Sequence, residues 1–270
     1  MSDVALVATQ VRYEQKSYWR NPLAAFFSFA VPIVLFFVLV STAGSSHDVA
    51  ALGVNVLLKQ YFTPSVLAFG VMSACFLNLA MTMTRQREAG ILKRLRGTPL
   101  PEWAIVGGVI GSSVIVAALI STVTLLFAVL VYNVQLPASH VLPLIVTILL
   151  GAAVFCSLGI AVSALMPNAD SAPALVNFPY FILMSASGGF GPVSGGVARV
   201  TSYFPLRPFI TGVYRAFDPS AFGGSGWEWH NLATLAIWGV VGIVIAIRRF
   251  RWTPRNGLHE AGLKRFVGVR

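Results

Sequence analysis

The residues with the densest chemical potential lie in one short stretch, RQREAGILKRLRGTPLPEW, residues 85–103, between two long apolar runs. Read as a helix, it places Ile91, Leu92 and Leu95 on one face, while Arg87 and Arg94, seven apart, share another; Gly97 and Pro99 then stop it. Alternating cations around Glu88 suit docking on a protein partner or on anionic lipid rather than bond-breaking chemistry. An ordinary cation-rich connection between membrane spans would show much of the same pattern. Other chemistry is poorly supplied. His47, His140 and His230 fall outside the apolar runs and away from carboxylate pairs, and His259 sits in a basic tail. Cys75 and Cys156 lie within apolar runs without metal-ligand spacing. The phosphate-cradling pattern G-x-x-x-x-G-K-[ST] is absent from the 270 residues, so any nucleotide-driven step needs another chain.

Composition says what kind of scaffold holds this segment. The chain is 56% hydrophobic and 10% charged, far from the roughly 25% charged residues of soluble chains, so its natural solvent is lipid. Apolar runs of spanning length recur at Leu23–Ala43, Phe62–Thr84, Trp103–Tyr132, Val141–Met166, Ala172–Pro192 and Asn231–Ile247. The reading is an all-α integral membrane protein of six transmembrane helices, forming a single transmembrane domain over residues 1–270. None of these runs contains Asp, Glu, Lys, Arg or His, which argues against coupling to an ion gradient. Fifteen of the 19 Lys and Arg fall on the side holding the N-terminus, the 85–101 connection and the tail from 248 to 270. The positive-inside rule therefore puts both termini in the cytoplasm of a multi-pass protein of the cell (inner or plasma) membrane. The net charge of +10 reflects orientation, not a nucleic-acid surface, because the cations flank apolar runs.

Two further segments need placing. Residues 1–22 read as an amphipathic interfacial helix, with Val4, Val7, Ala8, Val11 and Tyr18 on one face and Pro22 turning the chain into the first span. The first apolar run lacks a basic leader and a small-residue cleavage site, so it is expected to remain as a helix. Residues 193–230 are too apolar for a solvated loop, and read as an extracellular re-entrant pair of short helices broken by Pro205 and Pro208. An irregular external loop anchored by Trp227 and Trp229 is the competing reading.

The E-x-G-x-L-K-R-L-R-G-T-P motif, the RNPLAAFFSFAVPIVLF entry and the SASGGFGPVSGGVARVTSYFPLRPFITGVYRAF segment together resemble permeases of the type 2 ABC exporter superfamily. That group contains daunorubicin-resistance and polysaccharide or lipid exporters. The resemblance implies a coupling helix at 85–101, a permease dimer of identical or sister protomers, and a separate ABC ATPase that binds ATP and Mg, with no cofactor on this chain. It assigns Arg87, Glu88, Gly90, Leu92, Lys93, Arg94 and Arg96 to the ATPase-contacting lever. The first, second and fifth spans would line the path, and Asn177, Pro179, Tyr180 and Ser187 are its candidates, because polar and helix-breaking groups in lipid need protein or water partners. Helix packing or a kink is the competing reading of each, and on the residues alone the better one. The implied function is export of an amphipathic drug-like or lipid-like substrate by a transport subunit rather than an enzyme. An ion-coupled carrier or channel, and a non-transporting assembly subunit, are the alternatives.

Overall fold

The computed structural model describes residues 3–43, 48–51, 54–98, 100–134, 140–191, 193, 195–217 and 227–250. The basic tail expected over 248–270 lies outside the described residues from 251 onward. Helices dominate: α1 (Asp3–Trp19), α2 (Pro22–Ala43), α3 (Leu58–Met72), α4 (Leu79–Glu88), α5 (Ile91–Arg96), α6 (Glu102–Tyr132), α7 (Val141–Leu165), α8 (Ala172–Ala186), α9 (Gly195–Thr201), α10 (Leu206–Phe217) and α11 (Trp229–Arg249). A small antiparallel hairpin, β1 (Asp48–Ala51) and β2 (Val54–Leu57), is the one departure from an all-helical chain among the described residues; it pairs Asp48 with Leu57 and Ala51 with Val54.

Among the described residues, four helical rods are long and apolar enough to cross a membrane: Lys59–Glu88, α6, α7 and α11. Shorter apolar stretches run over Ala25–Ser41 in α2 and along α8. Phe26, Phe37, Leu130, Phe178 and Ile247 are each more than half exposed on this bundle. Water would penalise such a surface, whereas hydrocarbon does not. The bundle is therefore an integral membrane protein.

The rod Lys59–Glu88 is not uniform. Between α3 and α4 it widens into a π-helical turn, Ser73–Asn78, whose extra residue per turn re-aims the side chains beyond it. Helix α7 lies at the centre, packed against the π turn and against α3, α4, α6, α10 and α11. Its Gly159 faces the Cys75 carbonyl, which a Cβ would approach to 2.9 Å, so only glycine lets the widened turn seat this closely. Each end of the rod fastens a neighbouring helix terminus. Lys59 Nζ donates to the Tyr132 carbonyl at the end of α6 (3.0 Å), and Arg87 reaches the end of α7. Cations at helix C-termini complement both the open carbonyls and the dipole.

Three expectations are corrected. The fifth apolar helix stops at Ala186, not Pro192, because Gly188 adopts φ +91° and its carbonyl accepts a hydrogen bond from Tyr61 Oη at 2.8 Å. The short helices after it break over 202–205, next to Pro205 only. Pro208 falls inside the first turn of α10, where a proline's missing N–H leaves no helical bond unmade. Helix α10 then buries Leu206, Phe209, Val213 and Tyr214 against the bundle.

The third correction concerns α1, which seats on α6. Its contact face is mixed, not the apolar stripe expected: Val4 and Ala8 are exposed, while Val7, Gln10, Val11 and Gln15 face α6. Gly108 abuts Gln10 so closely that any side chain there would overlap it, and a Cβ on Gly111 would meet Val11 at 2.7 Å. Gln15 Nε2 completes the seat by donating to the Ser112 carbonyl at 3.0 Å.

Candidate functional site

The charged stretch folds as a bent unit. Helix α4 ends at Glu88, Gly90 adopts φ +68°, and α5 begins at Ile91. A left-handed residue carries little cost for glycine alone, and the bend it makes divides the motif. Arg87 and Arg94 consequently do not share a face. Arg87 is 1% exposed, its Nη1 donating to the Ser163 carbonyl (3.0 Å) and its Nη2 to the Met166 carbonyl (2.7 Å) at the C-terminus of α7. Lys93 and Arg94 are exposed on α5, and the side chain of Arg96 lies outside the described residues. Leu92 is fully buried and Leu95 half-buried against the core, whereas Ile91 is exposed, so the expected apolar face is two residues wide. Glu88 holds Oε1 enclosed, with no hydrogen-bond partner among the described residues.

Higher on the same rod, the π turn opens a cavity of about 320 Å³ between α2, the turn and α8, lined by Ser28, Pro32, Ser73, Asn78, Asn177 and Tyr180, with Phe27, Phe69 and Phe181 as apolar walls. Of the four path candidates it gathers two. Asn177 is half-buried in its wall, and Tyr180 is buried with Oη donating to the Phe69 carbonyl at 3.2 Å. Pro179 is exposed on α8, and Ser187 is buried beyond its end with its hydroxyl unpaired among the described residues. Ser28, Ser73 and Asn78 were missed, although an amide in an apolar run is the same signal that singled out Asn177.

Ser28 and Asn78 also line a second, polar cavity of about 410 Å³ between α1, α2, α4 and α6, whose walls include Glu14, Tyr18, Thr82, Arg85, Gln86 and Ser112. The two cavities thus share a boundary at the π turn. Burial pushes the Glu14 carboxyl up from its ordinary range, opposed by a hydrogen bond from Gln86. Burial likewise raises the Tyr18 hydroxyl, opposed by Ser28. Among the described residues no cluster of His, Cys, Asp or Glu could hold a metal ion.

Apolar rods with an exposed hydrocarbon-compatible surface, open cavities between them and a charged hinge at one end describe an integral membrane protein. The family comparison is specific: the ABC-2 family transporter protein model matches residues 45–248, and the chain belongs to that family as an ABC-2 type permease. It is similar to the Bacillus subtilis (strain 168) protein named as the transport permease YvfS, with 26% identity over 233 residues, covering 82% of this chain and 87% of the relative. The family implies partnership with an ABC ATPase.

Proposed function

We propose that this chain is the membrane-spanning subunit of an ATP-driven exporter that moves an amphipathic, drug-like or lipid-like cargo out of the cytoplasm. In this reading α2 and α8 cross the bilayer beside the four longer rods, giving six crossings with both termini in the cytoplasm. ATP and Mg bind the partner ATPase, and a second permease protomer completes the path. The residue ranges 1–22, 85–101, 193–230 and 248–270 serve as interfacial helix, coupling segment, extracellular re-entrant pair and cytoplasmic tail. The observation that carries the proposal is continuity: the helix rod that ends in the charged hinge also contains the π turn lining the cavity. Displacement of α5 by a partner would pass through α4 to the turn without crossing a flexible joint other than Gly90.

Within the coupling segment the residues take separate parts. Lys93 and Arg94 present the contact charge, with Arg96 as a further candidate, Glu88 and Gly90 form the bend behind them, Leu92 pins α5 to the bundle, and Arg87 holds the root. Asn177 and Tyr180 face the cargo, while Pro179 and Ser187 shape the α8 helix around it. Co-reconstitution with the partner ATPase in proteoliposomes tests this. Permease-stimulated ATP hydrolysis should fall about fivefold in a Lys93→Ala/Arg94→Ala variant, the size expected from losing about 1 kcal/mol of interfacial charge contact. Asn177→Leu should lower transport of a fluorescent amphiphile while leaving ATPase association intact. Unchanged hydrolysis in the double variant would refute the coupling role.

A further inference from the structure

The polar cavity behind α1 has a composition that neither transport nor ATPase coupling explains. One acid, Glu14 on α1, and one base, Arg85 on α4, line the same space. Gln86 lines it too: its amide N–H donates toward Glu14, while its Oε1 is enclosed without a hydrogen-bond partner among the described residues. An enclosed amide oxygen of this kind asks for a donor, since leaving it unpaired carries the full desolvation penalty. A carboxylate beside it favours that donor being cationic, and the guanidinium favours an anion on the same ligand. The α1–α2 elbow that walls the cavity has its own apolar side. Trp19, Pro22, Phe26, Phe29 and Ile33 form a groove of about 650 Å³ there, suited to acyl chain.

We propose that this cavity binds the phosphoethanolamine headgroup of a membrane lipid, its ammonium donating to Gln86 Oε1 and Glu14 and its phosphate accepting from Arg85. Such a lipid would bridge α1 to α4 and so fasten the interfacial helix to the root of the charged hinge. Phosphocholine carries the same charges but no N–H, so it cannot satisfy the Gln86 oxygen. A phosphoglycerol headgroup offers hydroxyl donors but no cation for Glu14.

The test needs no ATPase and therefore fails or succeeds independently of the export reading. The full-length protein in detergent is titrated with dihexanoyl lipids bearing phosphoethanolamine, phosphocholine or phosphoglycerol, and bound lipid is counted by native mass spectrometry. The proposal expects about tenfold tighter retention of the phosphoethanolamine lipid, the discrimination that one unpaired enclosed acceptor produces. Gln86→Leu and Glu14→Gln should each erase that preference. If either variant fails to fold, the comparison of the three lipids on the unmodified protein still decides. Equal retention of all three lipids, or a preference that survives both substitutions, overturns the proposal. Soluble phosphoethanolamine is the remaining arm: competition at the same concentration as the short-chain lipid would show a free solute to be the ligand and would overturn the lipid assignment, whereas failure to compete supports it.

Discussion

Arg87 and Arg94 stand seven residues apart in one motif and occupy opposite physical situations. Arg87 is enclosed and caps the last turn of α7, with both terminal nitrogens donating to carbonyls, whereas Arg94 projects from α5 into open space. The residue separating them in kind is Gly90, whose positive φ turns α5 away from the line of α4. A charged connection can therefore have a fixed root and a presented tip, and residue type alone does not say which is which. Among the described residues the root is satisfied within the protomer, and the tip is exposed.

The contrast is sharpened first by removing the root. Arg87→Ala leaves two buried helix-end carbonyls without their charge-assisted donors, each worth about 1.5–3 kcal/mol, so the loss should reach about 3 kcal/mol or more. It should appear as a lowered thermal midpoint of the detergent-solubilised protein and poor membrane yield. Overlap at the α1 seat comes next: Gly108→Val forces α1 off α6 and should cost about 1–3 kcal/mol, visible as new protease sites in α1. Gly90→Ala strains the left-handed bend by about 1–2 kcal/mol and should weaken ATPase stimulation more than it lowers the midpoint. The smallest stability effect belongs to the tip. Lys93→Ala/Arg94→Ala should leave the midpoint within about 0.5 kcal/mol of the original, because both side chains are exposed.

The helix bounds were largely legible in the sequence, since apolar runs and their polar flanks report the same dielectric boundary that the rods obey. Charge-free runs marked where the rods lie, and Gly97 after Arg96 marked the end of α5. What escaped was anything set by a single backbone torsion or by one extra residue in a turn. Periodicity placed Arg87 with Arg94 because it assumes an unbroken helix, and the φ of Gly90 undoes that assumption. The π turn at Ser73–Asn78 has no compositional mark, so the cavity it opens and the roles of Ser28 and Asn78 in its wall stayed hidden. Nothing in the sequence marked Gly108 as the tightest contact of α6 with α1, because which face meets α1 depends on the elbow at Asn21–Pro22. Asn177 and Tyr180 both line the cavity, as polar groups in an apolar run must reach protein or water.

The measurement that bears most directly on the division between root and tip compares Arg87→Ala with Arg94→Ala side by side, recording thermal midpoint and permease-stimulated ATP hydrolysis for each. With a fixed root and an exposed tip, Arg87→Ala should show a large fall in midpoint, and Arg94→Ala an unchanged midpoint with reduced stimulation. Equal midpoints for the two variants, or full stimulation from Arg94→Ala, would contradict that division.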